Sequence, residues 1–294
     1  MIREPAVAGT FYPDSPGDCR RTIEACFRKR AAAPPIDGRI VGGLVPHAGW
    51  VCSGRVAASV ISAIADQRSC TVFVVFGAVH RRQGPLGALF PGGRWNSPTG
   101  PVTIDDRLAE RVLSHTNLIA DDPYAHESEH SIEVQVPFIQ HLFPDAKLLP
   151  IMVPPSPHAV EIGEGVARTL TAYRYDAVVL ASSDLTHYGK RYGFIPQGTG
   201  REGLDWAKNV NDRRLIDLLL KLDTDAVIPE ATQHRNACGS GAIAAAVAAA
   251  KVLGADRAVL LDHTTSAETI GPDPENNAVG YAGMVYTAPL GIDD

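Results

Sequence analysis

The sequence has no long apolar run and no disulfide framework. Its longest uninterrupted apolar stretch, Ala242 to Ala250, is too short to span a bilayer, and the first residues lack the apolar core of a signal peptide. The five cysteines are scattered without a C-x-x-C spacing, which is typical of reduced thiols in a cytoplasmic protein. These absences predict a cytoplasmic protein without a membrane partner.

A strong charge of one sign is absent too. The net charge is −6 over 294 residues, no run of five like charges occurs, and the basic clusters are short. We therefore expect no nucleic-acid partner. The phosphate-binding motif G-x-x-x-x-G-K-[ST], the nucleophile motif G-x-S-x-G and the metalloprotease motif H-E-x-x-H do not occur either. No common motif of these kinds assigns a function.

What the sequence does contain is an alternation of strand-length and helix-length segments. Strands are predicted over 39–45, 71–80, 147–153, 177–182, 257–263 and 278–287, with short antiparallel strands or loop over 84–102. Helices are predicted from 15 or 18 to 30, over 51–65, 105–114, 127–142 (kinked at Pro137), 158–172, 204–221 and 223–231, and in an alanine-rich segment ending near 253. No repeat or linker interrupts this order. We therefore predict one α/β domain over 1–294, with a largely parallel central sheet flanked by helices.

Metal-capable side chains follow three of these strands. His47 ends the first core strand, His80 ends the second, and Asp184 and His187 follow the strand over 177–182. A lone histidine in such a place is more often a structural turn residue. However, parallel strands bring their carboxyl ends to one edge of the sheet, where open α/β folds bind ligands. The recurrence at three strand ends therefore favours a shared site.

Cys238 precedes the alanine-rich helix and is a further candidate. A thiol at a helix amino terminus has a lowered pKa, which would make a thiolate available as ligand or nucleophile. The alternative is a small buried apolar residue, which is the usual environment of a free cysteine.

A second acidic and histidine-containing segment opens the helix predicted over 127–142. Glu129 and Glu133 are four residues apart and are predicted to share one face of that helix, with His130 pointing away from it. Two glutamates in a first helical turn have a structural explanation, since they stabilise the helix dipole. That explanation leaves His130 without a role. His234 and His263 have weaker contexts and receive no assignment.

Six blocks carry most of these residues. They are Ala8-Gly9-Thr10-Phe11-Tyr12-Pro13, Pro46-His47-Ala48-Gly49-Trp50, Gly77 through His80, Glu129-His130-Ser131-Ile132-Glu133, Ser182-Ser183-Asp184-Leu185-Thr186-His187 and Asn236-Ala237-Cys238-Gly239. In this order they resemble the blocks of the Memo family, whose microbial members are also called AmmeMemoRadiSam system protein B. The resemblance spans nearly the whole chain. The Memo fold is similar to that of class III extradiol ring-cleaving dioxygenases, so the resemblance implies a LigB-like fold.

The resemblance also implies a metal site. In the LigB-like group, two histidines and a glutamate bind non-haem Fe(II). By resemblance His47 and His80 would be metal ligands, with Cys238 in place of the carboxylate. Imidazole and soft sulfur donors suit iron, copper or zinc better than magnesium or calcium. We therefore expect Fe(II) or copper, with zinc as the next candidate.

Catalytic roles follow from the same resemblance. His187 would occupy the acid/base position, and Asp184 and His130 would line the pocket. Three functions stay open. One is a metal-dependent redox enzyme of the dioxygenase-like kind. A second is a non-catalytic protein that binds a small molecule, a peptide or a radical-SAM partner protein, and a third is a zinc hydrolase with His187 or Glu129 as general base.

Overall fold

The fold is taken from a computed structural model that describes residues 1–81, 84–271, 273 and 276–290. The strands are β1 (Ile2–Arg3), β2 (Arg39–Val45), β3 (Val72–Gly77), β4 (Gly87–Leu89), β5 (Arg94–Ser97), β6 (Gly100–Thr103), β7 (Ile119–Asp121), β8 (Lys147–Met152), β9 (Ala177–Ser182), β10 (His187–Tyr188), β11 (Arg257–Thr265) and β12 (Ala278–Ala288). The α-helices are α1 (Pro16–Arg28), α2 (Trp50–Gln67), α3 (Asp106–His115), α4 (Val136–Leu142), α5 (Ala159–Ala172), α6 (Arg201–Trp206), α7 (Arg213–Leu220), α8 (Thr224–His234), α9 (Ser240–Val252) and α10 (Ser266–Thr269). Within these described ranges, no helix is both long and apolar enough to cross a membrane.

In the described residues nine strands form one sheet, ordered β10-β12-β2-β9-β3-β8-β4-β7 with β11 paired to β12, and β1, β5 and β6 form a small second sheet. The central strands β2, β9, β3 and β8 are parallel, as the sequence predicts. The outer pairs β12 with β2, β11 with β12 and β4 with β8 are antiparallel, so the whole sheet is mixed. Of the described residues between β11 and β12, Ser266–Thr269 form the short helix α10.

The hydrophobic core lies on both faces of this sheet. On β3, Val74 and Phe76 belong to the cluster formed with α5, α7 and α9. Phe73 and Val75, which alternate with them, belong to the cluster formed with α1, α2 and α4. Since successive side chains of a strand point to opposite faces, a strand covered on both sides reads as one continuous apolar run. The prediction that this strand is buried on both faces is confirmed.

Local side-chain hydrogen bonds fix where several helices begin. The hydroxyl of Ser15 accepts the amide of Asp18 at the start of α1, and Pro16 follows in the first turn. The carboxyl groups of Asp105 and Asp223 cap α3 and α8 in the same way. These residues satisfy amides that have no partner inside the helix. Of the two residues considered for the start of α1, Ser15 is the cap.

The helix predicted over 127–142 is wrong in its first half. The structure has a 3-10 turn over Pro123–His126, irregular turns, a second 3-10 turn over Glu133–Gln135, and an α-helix only from Val136. Pro137 sits in the first turn of α4, where a missing amide has no consequence, rather than kinking a longer helix. The cause lies at Glu129, whose carboxylate accepts the amides of His130 and Ser131 and so holds the chain in a turn.

The helix predicted over 204–221 is interrupted as well. A π-helical segment, Ala207–Asp212, separates α6 from α7. The apolar spacing of the sequence does not reveal it, because a single wide turn leaves the residues on either side helical.

Helices α5 and α9 pack so closely that one glycine is required. A Cβ added to Gly163 would overlap the backbone carbonyl of Ala245, which cannot move without shifting α9. Gly165, in the same helix, has only the Thr116 side chain at 4.0 Å. The two positions therefore differ in packing but not in helical context.

We expect Gly163→Ala to lower the free energy of unfolding by about 1–3 kcal/mol, because overpacking forces backbone shifts. Gly165→Ala should instead raise it by up to about 1 kcal/mol through helix propensity. Urea unfolding monitored by circular dichroism measures both. Equal effects of the two substitutions would contradict the close packing.

Candidate metal centre

The site lies where three parallel strands end side by side. β9 lies between β2 and β3, so the residues after these strands meet at one edge of the sheet. His47 follows β2, His80 follows β3 and Asp184 follows β9. All three line one cavity of about 400 Å³. The sequence-derived expectation that these side chains share an edge therefore agrees with their placement.

Three histidine rings cluster in this cavity. The ring centroids of His47 and His80 are 5.0 Å apart, those of His47 and His130 are 5.4 Å apart, and those of His80 and His130 are 4.7 Å apart. One ring nitrogen from each lies within 4.8 Å of the others, a spacing that allows them to hold a metal ion. His130 comes from the turn before α4 and packs against Phe11. The family resemblance implies that His130 lines the pocket, whereas the structure groups its ring with the two predicted histidine ligands.

Glu129 orients the ring of His80. Its Oε1 accepts the Nδ1 proton of His80 at 2.9 Å, and its Oε2 accepts the amide of His80 at 3.0 Å. Burial alone would raise the pKa of Glu129, but the hydrogen bonds from His80 and from nearby amides lower that pKa below its usual range. With Nδ1 fixed on Glu129, Nε2 is the atom of His80 that would bind a metal. Such a carboxylate–histidine pair is common behind metal ligands.

The expectation that Glu129 and Glu133 share a helix face is wrong. Glu133 points away from the histidines and accepts hydrogen bonds from Arg3, from the Tyr12 hydroxyl and from the amides of Ala6 and Val7. It thereby anchors the amino-terminal segment over α4. Glu133 is therefore a structural carboxylate, whereas Glu129 belongs to the site.

Asp184 fixes the turn that carries His47. Its Oδ1 accepts the amides of His47 and Ala48 at 2.7 and 3.2 Å. Burial raises the pKa of this carboxyl group, although His187 and the two amides oppose that rise. Asp184 therefore acts on His47 through the backbone, which the sequence alone did not indicate.

The hydrogen bonds of Ser182 define the protonation of His47. The Ser182 hydroxyl donates to the carbonyl of Ser131 at 2.6 Å, so it accepts from Nδ1 of His47 at 3.3 Å. Nε2 of His47 is then unprotonated in the neutral ring. Burial lowers the pKa of His47 well below its usual value, and the neighbouring His80 and His130 lower it further. Nε2 of His47 is therefore an unprotonated nitrogen that can accept a hydrogen bond or bind a metal.

Cys238 lies against that nitrogen. Its Sγ is 3.2 Å from Nε2 of His47, close enough for the thiol to donate to the ring. Two donor atoms bound to one ion at about 2.0 and 2.3 Å lie roughly 3–4 Å apart. The observed spacing of the sulfur and nitrogen therefore fits a shared ion.

The expectation of a lowered thiol pKa is wrong for the metal-free protein. Burial raises the pKa of the Cys238 thiol, and the Asp184 carboxyl group raises it further. Helix α9 begins only at Ser240, so the thiol is not at the helix end itself. Loss of the thiol proton would therefore have to accompany metal binding.

His187 and aromatic side chains complete the cavity. Nδ1 of His187 donates to the Leu185 carbonyl at 3.1 Å, which leaves Nε2 as the acceptor of the neutral ring. The His187 ring packs edge-on against Tyr192, with ring centroids 5.0 Å apart.

A second cavity of about 910 Å³ adjoins the cavity of the histidine cluster, and Phe11 and Cys52 line both. Phe11 and Ser182 were not predicted as site residues, although both lie in sequence blocks that carry the family resemblance.

The fold and the site define a class of protein: an α/β protein with a histidine-rich, metal-capable cavity at the carboxyl edge of its parallel strands. The sequence model of the Memo-like protein family matches residues 3–285. The chain is 37% identical to a MEMO1 family protein of Pyrobaculum aerophilum, over 97% of this chain and 99% of that protein. It is 34% identical to MEMO1 family proteins of Pyrococcus horikoshii (97% and 99% covered) and Methanothermobacter thermautotrophicus (96% and 99% covered). The chain belongs to the Memo family, and the resemblance found in the sequence is confirmed.

A solved structure shows the fold at greater distance. The uncharacterized protein JW3007 from Escherichia coli K12 superposes with a TM-score of 0.50 at 9% identity. The match covers 84% of this chain and 100% of that chain. At this identity the likeness supports the α/β architecture alone.

The two buried glutamates offer a matched test of the donor set. We expect Glu129→Gln to weaken Co²⁺ or Zn²⁺ binding by roughly 10- to 100-fold, since substitution behind a metal-binding histidine has effects of this size. Glu133→Gln should lower the free energy of unfolding and affect metal affinity less, because the hydrogen bonds of Glu133 go to the amino-terminal segment and only its charge acts on His130. Calorimetric titration of the folded variants measures both affinities. Equal losses of affinity would contradict the role given to Glu129.

Proposed function

We propose that this protein is a metal-dependent redox enzyme that uses Fe(II) or copper. The observation that carries the proposal is the cluster of ring nitrogens of His47, His80 and His130 within 4.8 Å of one another, with Cys238 Sγ at 3.2 Å from Nε2 of His47. His47 and His80 both have Nδ1 in a hydrogen bond, so both present Nε2 as the donor. Two imidazoles and a thiolate suit iron, copper or zinc.

The third ligand separates two versions of the site. The family resemblance favours Cys238 with His47 and His80, whereas in the described residues the donor atoms within 4.8 Å of one another are those of His47, His80 and His130, without Cys238. Cys238 has the closer measured contact to His47, and its sulfur favours a redox-active metal over a hard cation. We therefore propose Cys238 as the ligand and His130 as a wall of the cavity.

The bound metal would supply electron transfer to or from a substrate in the open part of the cavity. The protein's own residues bind and orient that substrate and control protons. His187 accepts or donates a proton at Nε2, because its Nδ1 proton is already held by the Leu185 carbonyl. Asp184 holds the turn that carries His47. The rings of Phe11 and Tyr281 line the cavity and exclude water from its walls.

Two other functions have support from particular observations. Zinc would be held by the same donors, and the free Nε2 of His187 is placed to act as general base in hydrolysis. Glu129 is the weaker base, since it already accepts hydrogen bonds from His80, His130 and Ser131. The adjoining 910 Å³ cavity favours a larger ligand, such as a peptide or a segment of a radical-SAM partner protein.

The test begins with metal content. Protein purified without oxygen should contain close to one iron or copper per chain, measured by mass spectrometry of the digested sample. His47→Ala and Cys238→Ala should each lose most of that metal, because each removes a donor atom. His130→Ala should retain it if His130 only lines the cavity, and His158→Ala, at an exposed histidine, is the control.

The second arm measures oxygen consumption over a screen of small-molecule substrates with the metal-loaded protein. Turnover that disappears in His187→Ala while metal content persists would support the redox function. Undiminished iron or copper in both His47→Ala and Cys238→Ala would remove the proposed site. Stoichiometric zinc together with hydrolytic turnover would show that the protein is a zinc hydrolase and not a redox enzyme.

A further inference from the structure

The π-helical segment between α6 and α7 carries two fully buried polar residues, Asn211 and Asp212. A π-helical turn adds a residue to the helix and is frequent at functional sites. Neither residue lines the cavity of the histidine cluster. Their contacts nevertheless lead to both loops that complete the site.

The first loop is the one that carries His187. Oδ1 of Asp212 accepts the amide of Thr186 at 2.9 Å, and Nδ2 of Asn211 donates to the Thr186 hydroxyl at 3.0 Å. Thr186 directly precedes His187. Asp212 therefore holds the backbone of Thr186 and Asn211 holds its side chain, directly before the acid/base candidate His187.

The second loop is the one that carries Cys238. The carbonyl of Asn211 accepts Nδ2 of Asn236 at 2.9 Å, and Nδ2 of Asn211 also donates to the carbonyl of His234 at 2.9 Å. Asn236 stands two residues before Cys238. The same turn thus fixes the approach of the thiol to His47.

Asp212 is itself held in place by its surroundings. Its Oδ2 accepts Nε2 of His263 on β11 at 3.1 Å. A Cβ on Gly280 of β12 would overlap the Asp212 carboxyl group, so this strand position has room only for glycine. The carboxyl group is therefore clamped between two strands of the sheet, which makes it a rigid anchor for the loop.

We propose that Asn211 and Asp212 are positioning residues that set where His187 and Cys238 stand relative to His47. The proposal rests on the proposed function for the roles of His187 and Cys238. The contacts themselves do not depend on it. Neither residue lines the cavity, so Asp212 acts through Thr186, and Asn211 acts through Thr186, the His234 carbonyl and, by its backbone carbonyl, Asn236.

The test compares Asp212→Asn, Asn211→Ala and Thr186→Val with Asp217→Asn in α7, at a half-exposed carboxylate whose ion-pair partner is Arg213. Thr186→Val is the mild variant, since it removes only the hydroxyl that Asn211 binds and keeps the amide bonded to Asp212. Gly163→Ala is the second control, because it perturbs packing between α5 and α9 without touching either loop. Circular dichroism confirms that each variant compared is folded.

The first readout is alkylation of Cys238 by iodoacetamide in the metal-free full-length protein, with mass mapping to separate it from Cys52. We expect rates at least about tenfold above wild type in Asp212→Asn and Asn211→Ala, and a smaller rise in Thr186→Val. The two controls should match wild type. Equal rates in wild type and in every folded loop variant would overturn the proposal, as would an equal rise in Gly163→Ala.

The second readout is Co²⁺ binding followed by the thiolate-to-cobalt absorption band. We expect roughly 10- to 100-fold weaker binding in Asp212→Asn and Asn211→Ala, comparable to loss of a residue behind a metal ligand. Failure of wild type to bind any metal would remove the proposed function, while the alkylation rates would still decide the positioning role. An unchanged cobalt band and affinity in all three loop variants would contradict the proposal.

Discussion

Two buried carboxyl groups that accept the backbone amides of strand-end turns hold the site together. Asp184 receives the amides of His47 and Ala48, and Glu129 receives the amide of His80. Amides beyond the end of a strand have lost their ladder partners, and a buried amide without a partner is unfavourable. Each carboxyl group supplies that partner and at the same time orients an imidazole toward the cavity. The same hydrogen bonds therefore stabilise the fold and arrange the donor atoms.

Burial then determines where the protons of the site reside. His47 is neutral and unprotonated at Nε2, and the Cys238 thiol keeps its proton and points at that nitrogen. His80 differs: burial alone would lower its pKa, but the hydrogen bond and charge of Glu129 raise it. A metal ion bound to both His47 and Cys238 would displace the proton of the Cys238 thiol, whereas Nε2 of His47 has no proton to lose.

The cavity is built from segments that are far apart in the chain. Phe11 comes from the amino-terminal segment that Glu133 and Arg3 anchor, and it packs on the His130 ring. On the opposite side, the π-helical turn at Asn211 and Asp212 holds the loops of Thr186 and Asn236. The strand ends that carry the histidines are therefore supported by the amino-terminal segment on one side and by the π-helical turn on the other. The neighbouring larger cavity leaves room for more than a small ligand.

The sequence by itself determined the core strands, most of the helices, the family and the strand-end histidines, because apolar periodicity and short ordered blocks are local properties of the chain. It did not determine the turns around Glu129 or the π-helical turn, because the carboxyl groups in these turns also bind amides of other segments, His80 in the case of Glu129 and Thr186 in the case of Asp212. The antiparallel pairing of the outer strands joins segments far apart in the chain, such as β12 with β2, and a local pattern does not encode it. The protonation of His47 and Cys238 was decided by tertiary structure alone, because burial and the Ser182 hydrogen bonds exist only after distant segments have packed together.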